Sequence, residues 1–319
     1  MASTAIKLAA SPENRFDHAA CSDVFSPQVS VLMLTCNRPQ FLSRAIQSII
    51  GQSFENWELI VVHDGPNERT AALMKEWVKR DARIRYCHRE QTGNIANACN
   101  YGISRARGEY IAILDDDDYW VANDKLAKQV AFLDDNPDYA GCGAGMTVID
   151  DRGSDLMSYL KPEHDQDIKR RALSANPMTH STTIFRRSSG TCIGFYDESL
   201  AGFQDWDLWL RLGQVGKLYN FPEVFTRYTL WSGGGSFQQQ RRNAVSALKI
   251  VLRHRNAYAG FSVALALVLL HFAYAHLPSG VRKSSFSFLS RLKKTLFAGS
   301  QKQARVNRSS KPDPLTNVS

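Results

Sequence analysis

Between residues 29 and 114, short apolar runs alternate with stretches whose apolar positions recur every three or four residues. Val29-Ser30-Val31-Leu32-Met33-Leu34 has the make-up of a buried strand. A polar turn, Thr35-Cys36-Asn37-Arg38, then leads to Pro39, which opens an amphipathic helix ending near Ile50. Glu58-Leu59-Ile60-Val61-Val62 predicts a second strand, stopped by His63-Asp64-Gly65-Pro66. A helix from about Thr70 to Lys79, a short strand from Arg83 to Cys87, and small residues at helical spacing from Asn94 to Arg105 follow. Gly108 closes that stretch before an apolar strand at Tyr110-Ile111-Ala112-Ile113-Leu114. Such βαβ repetition predicts an α/β fold with a mostly parallel, Rossmann-like sheet covered by helices on both faces. It also brings Thr35, Asp64 and Asp115, which end three of the strands, to one edge.

The second half has a different texture. Tyr139 to Ile149 predicts a strand, Asp150 to Arg171 is polar and mixed in charge, and Thr179 to Phe185 predicts another strand. Gln204 to Leu212 has the spacing of an amphipathic helix carrying tryptophans. Tyr228 and the glycine-rich Ser232 to Ser236 suit a mobile loop. Farther on, Ala257 to Leu277 is apolar and near the roughly 20 residues of a membrane span, but His271, Tyr274 and His276 interrupt it. Phe286 to Phe297 mixes aromatic, aliphatic and basic residues as an interfacial helix does. Membrane-surface association is favoured over a single span at 257–277.

Chemistry enters with Asp115-Asp116-Asp117-Asp118, a concentrated negative charge at the carboxyl end of a predicted strand. Clustered carboxylates repel and take up protons unless a cation holds them ionised. A divalent Mg²⁺ or Mn²⁺ binds one or two carboxylates together with substrate phosphates. A solvated acidic loop is the competing reading. The position favours the ligand, because open α/β sheets bind ligands outside the carboxyl ends of their strands.

Four segments, in this order and spacing, resemble the family 2 inverting glycosyltransferases of the GT-A fold. They are Val29 to Arg38, Asp64-Gly65, Asn100-Tyr101-Gly102 with Ala106 to Ile111, and Asp115 to Asp118. Gly194 to Leu200 and Gln204 to Leu212 are similar to the family's acceptor side, so the resemblance runs from about residue 29 to 232. It implies a nucleotide-sugar donor and a glycan or lipid-linked acceptor. Asp115 and Asp117 match the acidic positions of the Asp-x-Asp motif that hold the metal, with Asp116 on the sugar or ribose. Asp118 is left as structural. Asp64 matches an aspartate that accepts from uracil and Thr35 the wall beside the base, so UDP is the leading nucleotide. Asn37 and Arg38 open the first helix, where a diphosphate is favoured, and Asn94 falls where a relative can carry a basic residue. The general base that inversion requires matches Asp205, with Asp207 competing two residues on. Gln204 stands where the family has a glutamate, and His63 where it has a second acid.

Charge separates the ends of the chain. The total is +8, yet residues 240–319 hold fourteen Lys or Arg against Asp313 alone, so this end carries +13 and the remainder −5 by difference. A tail that is basic and also apolar points to anionic lipid rather than nucleic acid. Six scattered cysteines lack the spacing of a zinc site and fit reduced thiols in a cytoplasmic protein. No secretory signal is evident in Met1 to Gln28. The expected organisation is a flexible leader (1–28), a catalytic domain (29–240) with nucleotide and acceptor halves meeting near residue 120, a membrane-associating extension (241–300) and a disordered tail (301–319). The expected activity is metal-dependent sugar transfer at the cytoplasmic face of a membrane, in cell-surface polysaccharide or lipopolysaccharide synthesis. A metal-dependent nucleotidyltransferase and a non-catalytic donor-binding subunit are the alternatives.

Overall fold

A computed structural model describes residues 26–231 and 240–277. The expectations for most of the leader, for Ser232 to Ser236 and for Phe286 onward lie outside these residues. The chain runs β1 (Val29–Thr35), α1 (Pro39–Ile50), β2 (Trp57–Asp64), α2 (Glu68–Arg80), β3 (Ile84–Arg89), α3 (Ile95–Ile103), β4 (Tyr110–Ile113), β5 (Tyr119–Trp120), α4 (Lys125–Asp135) and β6 (Tyr139–Ile149). It continues through β7 (Asp155–Tyr159), α5 (Asp165–Arg171), a 3-10 turn (His180–Thr182), β8 (Ile184–Arg186), α6 (Arg187–Ile193), α7 (Gln204–Val215) and β9 (Lys217–Thr229). Two further helices are α8 (Gln240–Arg253) and α9 (Phe261–His276).

One sheet carries the strands in the order β3-β2-β1-β4-β8-β6-β9-β5, with β7 on β6. The first four are parallel, in a register that sets Leu32 beside Ile60 and Ile113. β8 runs antiparallel to both β4 and β6, while β6 and β9 are parallel. Because β1 lies between β2 and β4, the strand order reverses at β1, and the crevice beyond its carboxyl end is where ligands of such sheets sit.

Alternation along each strand divides the core. Val29, Val31, Met33, Leu59 and Val61 face α1 and α2, packing on Leu42, Ile46, Ile49 and Met74. Leu32, Ile60, Val62, Ile111 and Ile113 face the other way, against Ala96, Cys99 and Ile103 of α3 and Trp209 of α7. Gly102 permits that packing, since a Cβ there would stand 2.3 Å from Leu32 Cδ1. A third cluster joins Trp206 and Leu210 of α7 to Ala247, Ile250 and Val251 of α8 and to Ala264 and Val268 of α9.

The structure differs from expectation at several points. Thr179 to Phe185 is not a strand throughout: a 3-10 turn precedes the three-residue β8. Thr182 Oγ1 donates to the Thr179 carbonyl at 2.7 Å and Thr183 Oγ1 to the His180 carbonyl at 2.6 Å, so local side-chain bonds replace the ladder. The second strand continues through His63 and Asp64, because β3 also extends and pairs Asp64 with Arg89. The polar segment from Asp150 to Arg171 contains β7 and α5. Residues 257–277 do not form a membrane-spanning helix. The helix begins only at Phe261, after Gly260 in the left-handed region, and has 16 residues, about 24 Å at 1.5 Å per residue. No helix among the described residues is long and apolar enough to cross a membrane.

Candidate active site at the carboxyl edge of the sheet

Each of the four aspartates meets a different environment. Asp115 Oδ2 accepts from Ser181 Oγ at 3.2 Å, and its own N–H donates back to that hydroxyl at 3.3 Å. Asp116 is fully buried, and the Arg38 guanidinium stands 2.6 Å from its Oδ1. Asp117 Oδ2 accepts from Arg38 Nη1 at 2.7 Å and from the Trp231 indole N–H at 2.9 Å. Asp118 is buried, accepts from Ser181 Oγ and takes the Thr229 N–H at 2.9 Å. The tetrad thus divides into Asp115 and Asp118, which share the Ser181 hydroxyl, and Asp116 and Asp117, which share Arg38.

One guanidinium does not neutralise this charge. Burial pushes the Asp116 carboxyl up to about 7, only partly opposed by Arg38, with Asp117 and Asp115 adding to the rise. Burial also raises Asp117 and Asp118. Arg38 is correspondingly held in its charged form: burial acts to lower it, and the four aspartates outweigh that effect. Its place is set by the turn after β1, where Asn37 takes φ 57°, a left-handed conformation that asparagine tolerates better than most residues.

Along the same edge, Thr35 ends β1 as a buried residue. Asp64 ends β2, its Oδ1 accepting the Thr92 N–H at 3.1 Å and lying 3.5 Å from Arg89 Nε. His63 beside it is buried against Tyr86, with a ring nitrogen 2.8 Å from the phenol oxygen. Burial, then His88, lowers its pKa to about 4, so it is neutral at pH 7. Asn94 is occupied locally: its Oδ1 caps α3 by accepting the Asn97 N–H at 3.1 Å, and its Nδ2 donates to the Glu198 carbonyl at 2.9 Å.

Across the cleft, Asp205 and Asp207 point to different worlds. Asp205, in the first turn of α7, accepts one hydrogen bond, from Asn176 Nδ2 at 2.6 Å. Asp207 is fully buried among Arg211 (2.7 Å), Arg253 (3.0 Å) and His254 (2.9 Å). Its burial raises its pKa, but His254, Arg211 and Arg253 together prevail and bring it to about 2. Asp205 is half-buried where Asp207 is enclosed. Burial raises the Cys99 thiol, with Asp115 and Asp205 adding to the rise, and burial, then Cys99, raises the Tyr196 hydroxyl, with the same two aspartates adding to it.

The family model described as glycosyl transferase family 2 matches residues 30–193, which contain the whole edge from Thr35 to Asp118. The chain belongs to glycosyl transferase family 2. Among relatives, a putative glycosyltransferase EpsE of Bacillus subtilis is 32% identical over 202 residues, 62% of this chain and 71% of that protein. An uncharacterized glycosyltransferase of Rickettsia felis is 30% identical over 228 residues, 69% of this chain and 37% of its own length. A second, from Rickettsia typhi, is 30% identical, with 64% of each chain covered. The chain thus spans 37% and 64% of the length of these two rickettsial relatives. Among solved structures, S. aureus TarS 1-349 in complex with UDP-GlcNAc superposes with a TM-score of 0.60 at 18% identity, covering 84% of this chain and 77% of that one. Mannosyltransferase PcManGT from Pyrobaculum calidifontis, in complex with GDP-Man and Mn2+, gives 0.58 at 18% identity, covering 85% and 84%. These likenesses establish the GT-A fold expected from the sequence.

The family 2 site has donors suited to a divalent ion. Asp116 is buried with Arg38 2.6 Å from its Oδ1, and Asp115 and Asp117 present hard carboxylate oxygens on either side of it in sequence. Among the described residues no group of three or more His, Cys, Asp or Glu is placed to hold a metal. An ion at Asp115 and Asp117 would complete its shell with phosphate oxygens and water, the usual arrangement for Mg²⁺.

Several members of this family 2 site had no assigned role in the sequence. Ser181 reaches the tetrad from the 3-10 turn and Trp231 from just past β9, its ring tilted against Phe41 with centroids 5.5 Å apart. Glu198 ties the halves together, its carboxylate accepting from Asn97 at 2.7 Å and Asn100 at 2.9 Å. The asparagine spacing, Asn94, Asn97 and Asn100, was the available signal, since it puts three carboxamides on one face of a helix.

Proposed function

We propose that this chain transfers a sugar from a nucleotide sugar, UDP-linked, to a hydroxyl of a glycan or lipid-linked acceptor, inverting the anomeric centre in one displacement. A divalent ion at Asp115 and Asp117, Mn²⁺ or Mg²⁺, supplies charge stabilisation for the departing diphosphate. Thr35 walls the base and Asp64 accepts from it, the Thr92 bonds keeping that carboxylate aimed along the edge. Asn37 and Arg38 bind the diphosphate at the start of α1. Asp116 takes a sugar or ribose hydroxyl, and Asn94 acts at one remove by capping α3.

Asp205 removes the proton of the attacking acceptor hydroxyl. Asn176 orients its carboxylate by a single hydrogen bond, leaving lone pairs for that hydroxyl. The observation that carries the reading is the contrast on α7 between Asp205, half-buried and hydrogen-bonded by Asn176, and Asp207, enclosed by Arg211, Arg253 and His254. It supports Asp205 as the carboxylate open to an acceptor hydroxyl. Residues 29–240 are taken as the catalytic domain and 241–300 as an extension that works at the cytoplasmic face of a membrane, in cell-surface polysaccharide or lipopolysaccharide synthesis.

The test is a UDP titration by calorimetry with and without Mn²⁺, paired with hydrolysis of UDP-sugars, on wild type, Asp117→Ala and Asp205→Asn. Metal-dependent binding that is lost in the first variant and kept in the second is the expected pattern. Turnover unaffected by Asp205→Asn would remove the base assignment. Binding of GDP but not UDP would remove the role given to Asp64 and leave the transfer chemistry standing.

A further inference from the structure

The two carboxyl-terminal helices have a surface that the catalytic chemistry leaves unexplained. Six of the twelve large apolar side chains exposed among the described residues are Val245, Leu252, Val263, Leu269, Leu270 and Leu277. All lie within residues 240–277. On α9 the exposed positions Val263, Ala266, Leu270 and Ala273 recur at spacings of three and four, so they form one stripe along the helix. Val263 is 60% exposed and Leu270 66%. The opposite side of α9 packs Ala264 and Val268 into the cluster shared with α7 and α8. A helix apolar on both sides is suited to burial rather than to water.

Charge indicates what covers the stripe. Residues 240–277 contain no Asp or Glu. Arg241, Arg242 and Lys249 lie exposed on α8 beside Val245 and Ser199, and none forms an ion pair with an acid among the described residues. Beyond Leu277 the chain adds nine Lys or Arg against Asp313 alone. A repeat of the same basic surface on a second copy would repel it, whereas an anionic bilayer offers both an apolar layer for the stripe and negative headgroups for the cations.

We infer that the exposed side of the α8–α9 hairpin docks on an anionic bilayer surface, with the α9 stripe inserted at the acyl boundary and Arg241, Arg242 and Lys249 at the headgroups. The docking element is keyed to the catalytic base through rigid contacts. Tyr258 donates to the Leu210 carbonyl at 2.6 Å, and Arg253 and His254 grip Asp207, two residues from Asp205 on α7. Resting on the transferase reading above, this geometry holds the acceptor side of the cleft at a fixed place relative to the membrane and deepens that reading to a lipid-anchored acceptor.

The test uses the full chain with vesicles of phosphatidylglycerol and phosphatidylcholine, or of phosphatidylcholine alone, at physiological salt. Co-sedimentation with the anionic vesicles only is expected. The Val263→Glu/Leu270→Glu double variant should lower the vesicle partition coefficient by roughly tenfold or more, since it removes burial of two large aliphatic side chains. The indole that Leu270→Trp introduces should be quenched by brominated acyl chains, read as the difference from wild type. Sedimentation that survives the double variant, or an added indole signal insensitive to bromine, would overturn the inference, because the tail beyond Leu277 would then be the attachment or the cover. A stripe-dependent dimer in solution that does not bind vesicles would overturn it in favour of a second copy. Calorimetric titration of UDP and GDP on the same preparations keeps the two readings apart: loss of docking with nucleotide affinity intact refutes the docking alone, and failure to bind either nucleotide with docking intact refutes the transferase alone.

Discussion

Two buried acidic sites of this molecule face opposite balances of charge. Around Asp207 on α7, two arginines and a histidine surround one carboxylate, which lies within 3.0 Å of all three. At the end of β4, Arg38 pairs with two carboxylates, Asp116 and Asp117, while Asp115 and Asp118 share the Ser181 hydroxyl. The first is complete and holds α7 to α8. The second has more carboxylate than cation, and a divalent metal there would supply the positive charge that the carboxylates and a diphosphate both need. The fold satisfies the first charge with its own residues, and the second is the one on which the proposed ligand site rests.

The sharpest way to break this contrast is to delete one carboxylate from each site. Asp117→Ala should lower transfer by about 10³-fold or more, the scale of losing a principal electrostatic contact at a developing charge, and should leave the melting temperature unchanged or raised. Asp207→Ala should do the reverse. Removing the partner of three cations costs about 3–5 kcal/mol of stability, read by urea denaturation, while the folded fraction keeps its affinity for UDP. Equal destabilisation by both variants would erase the distinction.

Acid sharpens the same comparison. Because Asp207 has its folded pKa lowered to about 2, it contributes stability that is complete above its unfolded value near 3.8 and is lost as pH falls from there through about 2. The loss amounts to about 2 kcal/mol. It should be absent from Asp207→Asn, so that the stability difference between wild type and this variant shrinks as denaturant titrations go from pH 5 to pH 2.5.

The donor edge was largely legible in the residue pattern, and the acceptor side less so, for a physical reason. Apolar runs of strand length and one proline bounded β1 and α1 closely, and alternation put Thr35, Asp64 and Asp115 at one edge without knowledge of any long-range contact. Asp205 and Asp207 could not be separated that way. Two residues apart on a helix, they face different directions, and which one is buried depends on Arg253 and His254, some 46 and 47 positions later. Ser181 was hidden for a similar cause: its segment has the composition of a strand, yet hydroxyl groups that bond locally turn it into the 3-10 turn that meets the tetrad. Trp231 contributes through an indole N–H on Asp117, a contact made only once β9 has returned alongside β5.

A third buried charge lies between the two cases. Lys125, at the start of α4, is fully buried with no acidic partner; its ammonium donates to Gln129 Oε1 at 2.6 Å and sits 4.0 Å over the Trp120 ring. Burial lowers its pKa to about 7, so in the folded protein it loses its proton well before it would in the unfolded chain, near 10.5. Between those values the unfolded state binds the extra proton, and stability therefore rises with pH above 7, by up to about 1.4 kcal/mol per unit from this group. Lys125→Met should flatten that rise between pH 7 and pH 8 and leave the Asp207 limb untouched. The measurement is a urea midpoint at each pH for both proteins. A slope unchanged by the substitution would mean that the Trp120 ring and Gln129 suffice to keep the ammonium charged, and Lys125 would then join Asp207 as a charge the fold satisfies on its own.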